Sequence, residues 1–112
     1  FESTIQMTKG DIVLVTFPFS DLTGNKLRPA LVLFDNTKEI TVAFITSQIQ
    51  NAHVHDVFLK LTPDNGLKKD SIIRISKLAT LDFNLSFGIL GKIDITTMNE
   101  VNSSLKKSLQ LD

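Results

Sequence analysis

The apolar residues of this chain fall into short runs that are rich in β-branched side chains and separated by turn residues. Such runs are typical of strands joined by short turns rather than of a fold built on long helices. They predict strands over residues 11–19, 29–34, 39–47, 54–61 and 88–93, and one or two further strands over residues 71–75 and 77–81. A single helical turn is expected within residues 82–87, and residues 20–27 have the composition of a loop.

The C-terminal residues follow a helical period instead. Four apolar positions are spaced three, four and four residues apart, which places them along one side of a helix. They are Met98, Val101, Leu105 and Leu109. Thr97 and Glu100 have the spacing of a capping box, so a helix is predicted over residues 97–109.

The length of 112 residues corresponds to one domain. The predicted elements indicate a mainly β fold with a C-terminal α-helix, and this many short strands suits a small, closed or half-closed barrel. Residues 7–112 are predicted to form this domain. Residues 1–6 precede Met7, and they are expected to be an added segment or a disordered N-terminus outside the fold.

The composition excludes several classes of function. Twelve Lys and Arg balance twelve Asp and Glu, which argues against a protein that coats nucleic acid by bulk charge, although it leaves a local basic site open. Cysteine is absent, which excludes disulfides, thiolate nucleophiles and cysteine metal sites and fits a reducing compartment. No apolar stretch is long enough to predict a membrane span. His53 and His55 lack an evident third ligand, so no metal is expected.

Arg28 is the first candidate for chemistry, because it stands between a loop and an apolar run and precedes Pro29. The residue before a proline is held in an extended conformation, so the direction of this side chain is well defined. A guanidinium at the mouth of a strand can bind phosphate oxygens through a fork of hydrogen bonds. An ion pair with Asp21 or another acid of the loop is the alternative.

Three further residues could act near such a site. Thr46 and Ser47 end the third predicted strand, where their hydroxyls can donate to a phosphate or satisfy the backbone. Arg74 interrupts an apolar strand, so its charge is expected to be paired or to line a cavity, unless that strand face is exposed. The neighbouring sequence carries a local basic surplus. Its members are Lys60, Lys68, Lys69, Arg74 and Lys77.

Five segments occur in the order and spacing of the MazF/PemK (Kid) family of toxins from type II toxin–antitoxin systems. They are residues 10–13 (GDIV), 28–32 (RPALV), 45–47 (ITS), 71–74 (SIIR) and 79–82 (ATLD). The chain resembles this family from residue 9 to residue 111. The resemblance implies an SH3-like β-barrel that forms a homodimer in the cytoplasm. It also implies a growth-inhibiting endoribonuclease for single-stranded mRNA, which needs no metal or cofactor and is silenced by a cognate antitoxin.

The resemblance assigns catalysis to Arg28 and Thr46. In such toxins the ribose 2′-OH attacks the adjacent phosphate and leaves 2′,3′-cyclic phosphate and 5′-OH ends. Arg28 would then stabilise the charge on the phosphorane, with Ser47 as a second hydroxyl donor and Arg74 near the leaving group or the phosphate. Asp21 is the candidate general base.

Further residues are expected to bind RNA. They are Phe17, Phe19, Thr23, Lys26 and Lys77. The two phenylalanines lie where they can stack on a base, although packing in the core is their alternative.

Two positions depart from members of the family. Ser76 stands where such members have an acid that pairs with the arginine two residues earlier, and Ala79 stands in place of another arginine. These departures leave open a catalytically inactive barrel that binds an antitoxin. A third reading is a poison of DNA gyrase, since CcdB-type proteins use the same barrel.

Overall fold

The computed structural model describes residues 6–16 and 26–111, and within these ranges it contains six strands, two short 3₁₀ turns and one α-helix. The strands are β1 (Asp11–Thr16), β2 (Leu27–Asp35), β3 (Glu39–Thr46), β4 (Val57–Leu59), β5 (Ser71–Asp82) and β6 (Ser86–Lys92). The helix is α1 (Ile95–Leu109), and the 3₁₀ turns are Ile49–Asn51 and Phe83–Leu85. The mainly β fold with a C-terminal helix is confirmed. The helix is not long and apolar enough to cross a membrane.

The strands form one antiparallel sheet in the order β4-β5-β3-β2-β1-β6. The barrel is not closed, because no ladder joins β4 to β6 in the described ranges. The loop after β4 contacts β6 instead, and the N–H of Lys92 donates to the carbonyl of Asp64 at 2.9 Å. Gly91 permits this approach, since a Cβ there would collide with the same carbonyl oxygen.

The two faces of the sheet carry separate apolar clusters, because side chains alternate along each strand. Ile12 and Leu31 lie in the cluster that includes Val101 of α1, whereas their neighbours Val13 and Val32 lie in the other. All five side chains are fully buried, and each such burial contributes roughly 1.5–3 kcal/mol. The central strands β2 and β3 are therefore held on both faces, which fixes the ends of these strands.

The strand predicted over residues 54–61 is mostly wrong, because β4 contains only Val57–Leu59. The preceding segment is a turn, in which the N–H of Asp56 donates to the carbonyl of His53 and the N–H of His53 donates to the Asp56 carboxylate. This side-chain-to-backbone bond competes with extended pairing. His53 and His55 therefore do not share a strand face, and the described residues hold no cluster of three metal-ligating side chains.

Residues 71–75 and 77–81, predicted as one or two strands, form one continuous strand, β5. Its register with β3 shifts between the pairs Phe44–Arg74 and Ala43–Leu78. Residues 75–77 thus form a bulge immediately after Arg74, and bulges commonly redirect the side chains beside them.

Helix α1 begins at Ile95, two residues before the predicted start. The capping box predicted at Thr97 and Glu100 is wrong, because the N-cap is Asp94, whose carboxylate accepts the N–H of Thr97 at 2.8 Å. This backbone hydrogen bond is the main cause that lowers the pKa of Asp94 from its ordinary value.

Candidate functional site

Arg28 and Thr46 lie opposite each other at the ends of the two central strands. The hydrogen-bonded register of β2 and β3 includes Ala30 opposite Phe44. Continued by two residues, this register places Arg28 across from Thr46, just beyond the last paired residues. Pro29 has no N–H to extend the ladder, so the two strands part here.

Two grooves meet at this pair. Groove A has a volume of about 540 Å³ and lies beside the ends of β2 and β3. Its lining residues are Leu14, Lys26, Leu27, Arg28, Pro29, Ile45, Thr46, Ser47, Gln48, Gly66, Leu67, Lys68, Lys69, Ser71 and Leu90. Groove B has a volume of about 630 Å³ and is lined by Arg28, Phe44, Ile45, Thr46, Arg74, Lys77, Leu78 and Ala79. The boundary between the grooves consists of Arg28, Ile45 and Thr46.

The charges along these grooves are all positive among the described residues. Within residues 6–16 and 26–111 the lining contains no Asp or Glu, and six of the twelve Lys and Arg of the chain take part in it. They are Lys26, Arg28, Lys68, Lys69, Arg74 and Lys77. A protein of zero formal charge thus concentrates six cations along two joined grooves, although Asp56 pairs with one of them, Arg74, from outside the lining.

Thr46 is half buried, and its Oγ1 accepts the N–H of Gln48 at 3.1 Å. A hydroxyl that already accepts such a bond keeps its own proton to donate. Ser47 is exposed and lines groove A only. The two hydroxyls therefore have different surroundings, and Thr46 is the one at the boundary.

Arg74 is both paired and at a groove wall, as a charge within an apolar strand requires. Its Nε lies 3.0 Å from Oδ2 of Asp56, and the two side chains are 14% and 0% exposed. No hydrogen bond is made by Nε, so the contact is an ion pair whose N–H does not point at the oxygen. Ser76 is exposed, and the carboxylate missing at that position comes instead from the turn before β4.

The remaining predicted site residues divide into two groups. Lys26 lines groove A and Lys77 lines groove B, and Ala79 lies in the wall of groove B. The other four lie outside the described residues. They are Phe17, Phe19, Asp21 and Thr23.

Sequence reasoning missed Lys68 and Lys69 as lining residues, and it missed Asp56 as the partner of Arg74. The two lysines belong to the basic surplus noted in the sequence, so a signal for them existed. For Asp56 the only signal was that a charge within an apolar strand needs a partner.

The fold is thus a small antiparallel β sheet with one covering helix, and basic grooves lie beside Arg28 and Thr46. The family model for the PemK-like, MazF-like toxin of type II toxin–antitoxin systems matches residues 8–109, and the chain belongs to this family. No match is found among curated protein sequences.

Solved structures with the same fold agree with this membership. The Mycobacterium tuberculosis toxin MazF-mt6 superposes with a TM-score of 0.74 at 19% identity, over 91% of this chain and 98% of that one. MazF from Deinococcus radiodurans (Form-I) superposes with a TM-score of 0.75 at 19% identity, over 96% and 99%. An endoribonuclease in complex with its cognate antitoxin from Mycobacterial species gives 0.74 at 20% identity, over 96% and 98%. At these identities the likeness shows the fold.

Proposed function

We propose that this toxin-family protein is a sequence-specific endoribonuclease that cleaves single-stranded mRNA at a phosphate bound between Arg28 and Thr46. The observation that carries the proposal is the convergence of half of the chain's cations on two grooves that meet at this pair. One neighbour in fold is itself described as an endoribonuclease with its cognate antitoxin, which supports the same activity here.

The proposed reaction is a transesterification within the RNA strand, in which phosphorus exchanges its bond to the 5′-oxygen for a bond to the 2′-oxygen. The 2′-oxygen loses its proton to a base and attacks the adjacent phosphorus. The P–O5′ bond then breaks, and the departing oxygen takes up a proton. The products are a 2′,3′-cyclic phosphate and a 5′-OH end, and no metal or cofactor takes part.

Each residue of the pair has a role that suits its chemistry. The Arg28 guanidinium stabilises the negative charge that develops on the phosphorane, an effect that is usually large in catalysis. Thr46 donates its free proton to a non-bridging oxygen, and Ser47 is a second donor on the side of groove A. Arg74 stabilises the leaving oxygen or its phosphate from groove B. Asp21 is the proposed base.

The grooves suit an extended strand of RNA. Phosphates on either side of the cleaved bond would lie against the cations of the grooves, including Lys26 and Lys77, and RNA is read mainly when its bases are unpaired. Phe17, Phe19 and Thr23 remain proposed RNA contacts. A cognate antitoxin with an acidic and apolar segment would fit the same basic, partly apolar surface, and we propose that the toxin acts as a cytoplasmic homodimer.

Cleavage in the presence of EDTA tests the proposal. Purified protein is incubated with single-stranded RNAs of varied sequence, and the ends of the products are determined. We expect 5′-OH ends and cyclic phosphates from the wild type, and a loss of at least about 100-fold in rate for Arg28→Ala. Lys38→Ala is the matched control, because Lys38 is an exposed cation of the β2–β3 turn outside both grooves.

Other outcomes point to the alternative functions. Intact RNA together with gyrase-dependent DNA breaks would identify a gyrase poison, for which the Arg28–Thr46 pair is not needed. Intact RNA, intact DNA and harmless expression in cells would identify an inactive barrel. Products with 3′-OH ends would contradict the proposed attack by the 2′-OH.

A further inference from the structure

We propose that Asp56 is a positioning residue for the reaction, because it holds the guanidinium of Arg74 in the wall of groove B. This inference rests on the proposed endoribonuclease function. Asp56 does not line groove B, and its carboxylate is fully buried behind Arg74. It therefore acts through the arginine and not on the RNA itself.

The carboxylate of Asp56 is fixed by the backbone on two sides. Its Oδ1 accepts the N–H of Ile75 at 3.1 Å, and its Oδ2 accepts the N–H of His53 at 2.9 Å. The first of these donors is the residue next to Arg74 on β5, so the acid and the arginine share one rigid frame. A buried carboxylate with two backbone donors and one cation has its charge well compensated.

The turn that carries Asp56 is itself attached to the helix. Ser104 of α1 donates its hydroxyl to the carbonyl of His55. The position of Asp56 is thus set by β5, by the turn and by α1 together. Such support from several elements is what a side chain needs if it is to place another group accurately.

The contact with Asp56 is made at the Nε of Arg74. A guanidinium has five N–H donors, and the approach of Asp56 is to Nε. The Nε N–H makes no hydrogen bond to Asp56, so the carboxylate holds the guanidinium by charge at close range, and the Nη donors can then bind a phosphate or the departing 5′-oxygen. Ser76, two residues further along the strand, is exposed and neutral, so it does not supply this support.

Charge and orientation predict opposite results when Asp56 is neutralised. Asp56→Asn removes a negative charge near a polyanion site, so electrostatics alone would tighten RNA binding and preserve the rate. If Asp56 orients Arg74, the same change lowers kcat even though binding is not weakened. We expect kcat to fall about 10- to 100-fold without an increase in KM.

A double-mutant cycle separates positioning from a general structural effect. The cleavage rates of the wild type, Asp56→Asn, Arg74→Ala and the double variant are measured on one RNA. Because Asp56 acts through Arg74, the double variant is expected to be no slower than Arg74→Ala alone. Asp35→Asn is the matched control, since Asp35 also accepts two backbone N–H groups, from Met7 and Thr37, and lines neither groove.

A wild-type kcat in Asp56→Asn, or a loss that adds fully to that of Arg74→Ala, overturns the inference. If Asp56→Asn does not fold, Arg74→Lys decides, because lysine can pair with Asp56 but lacks the planar fork. A wild-type kcat in Arg74→Lys overturns the inference, and a loss comparable to that of Arg74→Ala supports it. A wild-type protein that cleaves no RNA overturns the proposed function and this role together, whereas the other failures leave the proposed function intact.

Discussion

Arg28 and Thr46 lie at the point where the paired strands β2 and β3 separate. Up to Ala30 and Phe44 the backbone groups of β2 and β3 bond to each other, and beyond this pair they do not. Pro29 contributes because it has no N–H to offer. The opening leaves a guanidinium and a hydroxyl at the ends of two paired strands, an arrangement that suits the proposed binding of one phosphate.

Thr46→Val tests whether the hydroxyl is a donor to the phosphate. Valine keeps the shape of threonine but removes the O–H, and we expect kcat to fall about 10²-fold, as when one donor to a developing anion is lost. Thr46→Ser keeps the hydroxyl and should retain most of the rate. Single-turnover cleavage of one RNA measures both variants, and thermal unfolding checks that the lost bond from Gln48 does not unfold the protein. An unchanged rate in Thr46→Val would show that Thr46 only satisfies the backbone.

At the scale of single residues, the sequence suggested which side chains are candidates for the site but not which residues contact them. Arg28 could be proposed from the sequence because a loop, a proline and an apolar run mark its position, whereas Thr46 was proposed through the resemblance to the toxin family. The partner of Arg74 could not, since Asp56 belongs to a turn that only the packing of β4, β5 and α1 brings beside it. Any of several acids would have satisfied the same requirement.

At the scale of elements, the hydropathy pattern predicted a strand correctly where burial of apolar side chains was the dominant effect. The apolar runs of β2 and β3 are buried on both faces, so hydropathy alone located them. The segment before β4 has the alternation of a strand. It forms a turn instead, in which the Asp56 carboxylate accepts a hydrogen bond from the backbone N–H of His53. The predicted start of α1 was wrong for a similar reason. Asp94 and Thr97 can both cap a helix, and Asp94 is the N-cap in the structure.

The cap of α1 makes stability depend on pH. Hydrogen bonding lowers the pKa of Asp94 in the folded state, so the carboxylate stabilises the fold above its ordinary pKa of 3.8 and loses this effect as the pH falls through the folded-state value. Asp94→Ala should therefore unfold at lower urea concentration than the wild type at neutral pH, and the difference should shrink in acid. Asp94→Asn is the control, since its amide oxygen can still accept the N–H of Thr97 but does not titrate. A difference that is the same at both pH values would contradict the role of the ionised cap.

At the scale of the whole molecule, the positive charges are concentrated on one surface although the protein has no net charge. The formal net charge is zero, yet half of the Lys and Arg line two joined grooves from which the described acids are absent. A polyanion that follows the grooves meets a positive surface, whereas the rest of the protein offers it no net attraction. Composition alone could bound the total charge but could not reveal this separation, because it depends on the fold that brings residues 26–28 and 68–77 to the same grooves.

Salt dependence measures how many of these cations meet phosphates. For a single strand, the logarithm of the binding constant falls with the logarithm of salt concentration by about 0.7 per neutralised phosphate. Removing two such contacts with Lys68→Ala and Lys69→Ala should therefore reduce the slope by about 1.4. The paired control is Lys106→Ala with Lys107→Ala, which removes the same charge from the last turn of α1, outside both grooves. Binding is followed by fluorescence anisotropy with a 2′-deoxy oligonucleotide, which lacks the attacking hydroxyl. Equal changes in slope for the two pairs would mean that net charge, and not the grooves, determines affinity.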